Sequence, residues 1–177
     1  MDQAEAGPRL PPVDRSLLSS YAAEIFDKVG PGGPANLVAT LAHQPALFEP
    51  YLSVTIALQR GTLPSRWREL CILRLSHLLH CDYIWHQHSR IAIRCGVSEA
   101  EIDQVRTAPT ELPRARAERA LLIAVDEIVN TGSIGTAAWG ELRDELSDAQ
   151  LTELPLLVGH YSGLAYLSNS SGVLIEG

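Results

Sequence analysis

The sequence predicts an all-α, single-domain helical bundle, and three observations lead there. Apolar residues recur at three- and four-residue spacing along nearly the whole chain. Helix start and stop signals punctuate that spacing. No alternating apolar–polar run persists for five residues without helical spacing competing, so no strand is expected. A length of 177 residues suits one domain, and such a domain buries about 70% of the surface its unfolded chain exposes, enough to fold without disulfides or a structural metal. With 46% hydrophobic and 20% charged residues the chain is globular in composition.

Residues 1–15 read as a flexible arm, with Pro8, Pro11 and Pro12 blocking regular pairing; residues 16–177 form the domain. From Ser16, the set Leu17, Leu18, Tyr21, Ile25, Phe26 and Val29 has helical spacing, and Gly30-Pro31-Gly32-Gly33-Pro34 stops it. A short helix through Leu37, Val38 and Leu41 reaches His43. Pro45 and Pro50 fit the first turns of a helical stretch ending at Gly61. Pro64 opens a helix over Ser65–His80 whose apolar residues nearly encircle it, so it is expected at the centre. The next helix, Asp82 to Cys95, stops at Gly96. Ser98-Glu99-Ala100-Glu101 is a capping box for a short helix. Pro113 to Asn130 is a further helix, closed by Thr131-Gly132, and Thr131–Glu141 carries the weakest signals. A second capping box, Ser147 to Gln150, starts the last helix, with a kink or a delayed start expected at Pro155.

Charge and cysteine content exclude several classes. A net charge of −7 opposes binding to nucleic acid or an anionic membrane. The local basic set Arg114, Arg116 and Arg119, diluted by Glu111 and Glu118, reads as a solvated helix face. Three cysteines, Cys71, Cys81 and Cys95, do not make a secreted disulfide framework. The N-terminal segment lacks the apolar core of a signal peptide, and no apolar run approaches the roughly 20 residues of a membrane span. A cytoplasmic protein is the expectation.

Reactive side chains concentrate between Glu69 and His88, where Cys71, His77, His80, Cys81, Tyr83 and His86 also fall. Positions 81, 84, 85 and 88 share one face of the second central helix. Cys81 stands at that helix's start, where the helix dipole favours a thiolate. His88, one or two turns on, can exchange a proton, and Glu69 on the preceding helix can orient the imidazole or act as acid or base. A carboxylate on so apolar a helix is costly unless partnered, and Arg66 and Arg74 are near enough in sequence to pair with it. His77, His80, Cys81, His86 and His88 invite a zinc reading, but they straddle a helix break and fit no standard zinc spacing, so no metal is assigned. Cys71 and Cys95 read as packing residues, and Trp67, Trp85, Tyr161 and Tyr166 as core aromatics, one or two of which can wall a pocket.

The segment Arg68-Glu69 … Cys81-Asp82-Tyr83-Ile84-Trp85-His86-Gln87-His88 … Cys95-Gly96-Val97-Ser98 … Glu101-Ile102 resembles the carboxymuconolactone decarboxylase and alkylhydroperoxidase D-like family. That family carries a Glu, a Cys-x-x-Cys or its remnant, and a His four residues on. Leu146-Ser147 … Gln150 … Glu153-Leu154 … Val158-Gly159 … Tyr161 is similar to its closing helix. The resemblance implies a bundle of the alkylhydroperoxidase D-like type, assembled as a homo-oligomer (trimer or hexamer), an assembly that the apolar C-terminal segment also suggests. It implies Glu69, Cys81 and His88 as catalytic residues, with Tyr83, Ile84 and Trp85 against a small-molecule substrate. Two departures narrow the chemistry. Ile84 replaces the second cysteine, so no dithiol–disulfide cycle is available; in Tyr83-Ile84-Trp85 the Glu common in the decarboxylase-like branch is gone. The expected function is cofactor-independent acid–base catalysis on a small carbonyl, carboxylate or lactone compound, by decarboxylation, elimination or isomerisation. The alternatives are a thiol peroxidase using Cys81 and a non-catalytic small-molecule-binding protein.

Overall fold

Nine contiguous residues of one helix, Arg68 to Ser76, are all buried, and the rest of the fold is arranged around them. In this computed structural model the described residues are 7–29, 35–107 and 116–176. Among them the elements are a single 3-10 turn (Arg15–Leu17) and helices α1 (Ser20–Val29), α2 (Ala35–Leu41), α3 (Pro45–Gln59), α4 (Ser65–Leu78), α5 (Asp82–Arg94), α6 (Glu99–Thr107), α7 (Arg116–Thr131), α8 (Thr136–Glu145) and α9 (Asp148–Ser171), with no strand. Helix α4 packs against α5, α6, α7 and α9. Its two sides feed two cores: Cys71, Ile72 and Leu75 join α7 and α9 in the larger, while Leu70 and Leu73 join Ala92, Val97, Ile102, Val105 and Leu122 in the second. A third, smaller cluster of Ala22, Val38, Leu41 and Phe48 seats α1 on α2 and α3.

The α4–α5 hairpin turns through a Schellman closure: the Cys81 N–H returns to the Ser76 carbonyl at 2.8 Å and that of His80 to His77 at 3.1 Å. This closure requires a left-handed residue, and His80 supplies it at φ 52°. A β-carbon disfavours that conformation by about 1–2 kcal/mol, so His80→Gly is expected to raise the urea midpoint slightly, by up to about 1 kcal/mol of stability. Helix α5 ends by the same device at Gly96 (φ 82°), with Val97 N–H on the Ala92 carbonyl at 3.0 Å. The two capping boxes are both formed, Ser98 with Glu101 and Ser147 with Gln150.

Several expectations need correction. Residues 16–19 are not yet α-helix; Asp14 caps the 3-10 turn and α1 begins at Ser20. The segment read as a free arm is tied down where it is described: Leu10 N–H bonds Ser171, Val13 N–H bonds Ala39, and the Pro11 carbonyl meets the His43 ring at 2.8 Å. Residues 136–145 form α8, which buries Ala138 and Leu142 against the core; Gly135 and Gly140 hid it in the sequence. Helix α9 starts at its capping box and continues through Pro155 without a delayed start. The Gly30–Pro34 stop, Glu111, Arg114 and the first residues of the helix expected from Pro113 lie outside the described residues. Glu118 does not belong to a solvated face. It is buried and bound by Arg66, which also reaches Glu101 at 2.7 Å and the Gly96 carbonyl at 2.7 Å.

Candidate functional site

Helices α4 and α5 lie side by side, and their facing surfaces bring Glu69 against His88. The Glu69 carboxylate, 2% exposed, takes His88 Nδ1 at 2.7 Å. Its other oxygen accepts from Arg68 Nε at 3.3 Å, and Arg68 is held in turn by the Gln59 carbonyl at 3.1 Å. The buried carboxylate thus has its partners, and they are not Arg66 or Arg74: Arg74 bonds Asp126 and the Val105 carbonyl instead. With Nδ1 engaged by a carboxylate, the imidazole's orientation is set and Nε2 is the nitrogen left for chemistry. The Tyr161 ring meets His88 edge-on, centroids 5.1 Å apart.

His88 lines a cavity of about 260 Å³ between α2, α3, α5 and α9. From α5 come Tyr83, Ile84, Gln87, His88 and Ile91; Leu37, Leu41, Leu52, Thr55 and Gln59 close it from α2 and α3, and Tyr161 and Leu164 from α9. The wall is mostly apolar with a few polar groups, the usual make-up of a small-molecule site. Both tyrosine hydroxyls are held protonated: burial pushes Tyr83 and Tyr161 up, with Glu176 adding to the first and Glu69 to the second.

The remaining sequence-predicted residues are distributed differently. Tyr83 and Ile84 face the cavity. Trp85 does not; it stands on the opposite side of α5, 6.2 Å from the His77 ring, with the Arg106 guanidinium stacked over it at 3.9 Å. The helical step separates it from Ile84 by about 100°. Cys81 lies in the main core, 1% exposed, and does not line the cavity. Burial pushes its thiol up, against the opposing pull of the Ile84 and Tyr83 amides and the Ser168 hydroxyl. Burial likewise raises Cys71, fully enclosed, to about 12. We therefore expect iodoacetamide at neutral pH to label the half-buried Cys95 first and to leave Cys71 and Cys81 unmodified in the native protein, as read by peptide mass spectrometry. Among the described residues no three His, Cys, Asp or Glu side chains converge as metal ligands, and no helix is long and apolar enough to cross a membrane.

Sequence reasoning did not single out Gln87, Arg68 or Gln59. Gln87 carried a usable signal, a polar residue on the same side of α5 as Tyr83 and Ile84; Arg68 stood in the segment that carries the family resemblance but was given no role, and Gln59 had no signal, because the bond between them depends on how α3 crosses α4.

Residues 45–127 match the Carboxymuconolactone decarboxylase family. No curated protein matches the sequence. The fold is shared with a peroxidase-related protein from Ralstonia eutropha JMP134 described as an alkylhydroperoxidase AhpD core (TM-score 0.82, 21% identity, 95% of this chain and 92% of that one). It is also shared with the debrominase Bmp8 (TM-score 0.77, 18% identity, 95% and 92%). A protein from Agrobacterium tumefaciens described as a putative antioxidant defence protein AhpD superimposes over 75% of this chain and 92% of its own (TM-score 0.69, 23% identity). At these identities the structures show a common fold, and that fold places Glu69 and His88 on its two central helices. Over residues 45–127 the chain is therefore similar to the carboxymuconolactone decarboxylase family, and its described helices share the AhpD-like fold.

Proposed function

We infer that the protein is an acid–base enzyme acting on a small, largely apolar carbonyl, carboxylate or lactone compound, by decarboxylation, elimination or isomerisation, with no call for a cofactor. The carrying observation is the 2.7 Å Glu69–His88 contact at the wall of a cavity of about 260 Å³. That volume lies just below the usual range for ligand pockets, roughly 300–1,000 Å³, and so favours a small substrate. His88 gives or takes the proton through Nε2. Glu69 fixes the ring and stabilises the imidazolium, which in turn stabilises an enolate-like charge on the substrate. Ile84, Ile91 and Leu164 supply apolar contact; the Tyr83 and Tyr161 hydroxyls are donors for substrate oxygens. Bmp8 has been seen with 2,3,4-tribromopyrrole in a cysteine-to-alanine variant, which supports this fold as a holder of small planar rings. The test is a panel of lactone-acids and β-keto acids assayed with wild type, His88→Ala and Glu69→Gln. Turnover that survives both substitutions unchanged overturns the reading.

The thiol-peroxidase alternative finds little support in Cys81, because a sealed thiol with a raised pKa forms little thiolate. Sulfenate on Cys81 after peroxide treatment, detected by mass spectrometry, would reverse that judgement. We also propose a homo-oligomer. Leu156 (62% exposed) and Tyr166 (58%) leave apolar surface on α9, more than a solvated helix usually shows. Light scattering should return the mass of a trimer or hexamer, and a monomer at micromolar concentration would refute it.

A further inference from the structure

The C-terminal segment folds back onto the cavity wall. Gly172 takes the left-handed conformation (φ 66°) that ends α9, and Val173 N–H returns to the Ser168 carbonyl at 3.0 Å. The chain then runs along the body until the Glu176 carboxylate meets three donors. The Tyr83 hydroxyl donates to Oε1 at 2.7 Å and the Asn36 backbone N–H to the same oxygen at 2.8 Å, while Gln87 Nε2 donates to Oε2 at 2.6 Å. The Tyr83 hydroxyl is itself oriented, accepting from the Leu37 N–H at 3.3 Å. Tyr83 and Gln87 are 3% and 6% exposed, and both line the cavity that holds His88.

Two features point beyond a structural tether. All three groups donate, and together they engage both oxygens of one carboxylate, an arrangement that suits an acceptor-only, two-oxygen group. The tail around Glu176 is held lightly: Val173 packs on the core and the Leu174 carbonyl accepts from Asn36 Nδ2 at 2.9 Å, but Leu174 and Ile175 remain 51% and 42% exposed. Residues 174–176 can leave without opening the bundle.

We propose that Tyr83, Gln87 and the Asn36 N–H form a carboxylate seat on the cavity wall, filled by Glu176 in this structure and taken over by a small apolar carboxylate that displaces the tail. The proposal rests on reading this cavity as the substrate site, and adds the substrate's anchoring group and its built-in competitor. Tyr83, Gln87 and His88 line one cavity, so a carboxylate in the seat shares that cavity with the proton-transfer residue. The exchange is bond for bond and involves no covalent step.

The test is calorimetric binding of benzoate, with benzamide as its neutral counterpart, to the full chain. Glu176→Ala is expected to bind benzoate about tenfold more tightly than wild type, because a tethered competitor at roughly millimolar effective concentration is gone; benzamide should change less than about twofold. Adding Tyr83→Phe to Glu176→Ala should cancel most of the gain. An unchanged or weaker benzoate affinity in Glu176→Ala, an equal gain for benzamide, or a gain that ignores Tyr83→Phe overturns the proposal. A second measurement needs only wild type: benzoate at saturation should lower the heteronuclear NOE of the residue 174–176 amides as the segment is released, and an unaltered NOE also overturns it. The titrations are repeated in His88→Ala, where no proton transfer is possible. A failed seat beside a His88-dependent turnover leaves the acid–base reading intact, and a working seat on a chain without turnover leaves the seat intact.

Discussion

His88→Ala is expected to lower kcat about 10²–10⁴-fold on any substrate the wild type turns over, the range for losing a positioned acid–base group. Glu69→Gln should cost nearly as much although it keeps the shape. A carboxylate accepts the Nδ1–H of His88 and leaves Nε2 as the basic nitrogen; an amide in its place can present its own N–H, turn the imidazole to the other tautomer and withdraw the counter-charge from the imidazolium. The geometry that makes this argument is the 2.7 Å contact between a carboxylate 2% exposed and a ring at a cavity wall. Because the two residues act as one unit, the double variant should be little worse than either single one. Steady-state kinetics of the four proteins decide the matter. Effects that multiply would mean two independent contributions, and a Glu69→Gln enzyme of full activity would mean that Arg68 and the packing alone position the ring.

The largest expected effect on stability is at Arg66. Its guanidinium reaches Glu118 on α7, Glu101 on α6 and the Gly96 carbonyl after α5, each at 2.7 Å, so a single side chain of α4 ties four segments together. The two carboxylate side chains are only 4% and 7% exposed. Arg66→Ala leaves both negative charges buried without their shared cation, a loss of about 3–5 kcal/mol, to be read as a lower urea midpoint at unchanged m-value. Lysine should restore less than half, since one ammonium cannot span three acceptors. Removing the charges as well, in Arg66→Ala/Glu101→Gln/Glu118→Gln, should recover part of the loss. A loss below about 1 kcal/mol would place the cluster among ordinary surface pairs.

Acid adds a second signature. Burial alone would raise the Glu101 carboxyl, but bonds from Arg66 and Ser98 reverse this and hold it at about 2. A carboxyl whose folded value lies below its unfolded one contributes stability that is complete above about pH 4.5 and is lost as the pH falls toward 2. In Arg66→Ala, stability should therefore fall less steeply over that acid interval than in wild type.

How far the residues alone led can be judged helix by helix. Repeating apolar spacing with strong caps made α4, α5, α6 and the start of α9 legible, because such signals are local: a Pro at Pro64, a Gly at Gly96 and Ser–Glu or Ser–Gln boxes act within one turn. Helix α8 was invisible because it is held by burial of Ala138 and Leu142, not by caps or propensity. Pro155 was misleading for a related reason: α9 is buried on so many sides that packing outweighs one missing hydrogen bond.

The candidate site divides along the same line. Glu69 and His88 were legible together because their helices are joined by a short hairpin, and a three-residue turn leaves few ways to lay two helices side by side. Spacing along α5 also put Cys81 and Trp85 with them, yet a helix turns about 100° per residue and which arc faces a cavity is set by what packs on the others. Here the main core takes Cys81 and α6 takes the Trp85 side, so the cavity receives Tyr83, Ile84, Gln87 and His88. Local order along the chain therefore specified most of the helices, through interactions that span one or two turns, and the carboxylate–imidazole pair, through the short hairpin between α4 and α5. The cavity, the Arg66 clamp and the Glu176 seat were decided only in three dimensions, because each joins residues dozens of positions apart whose meeting depends on how whole helices pack.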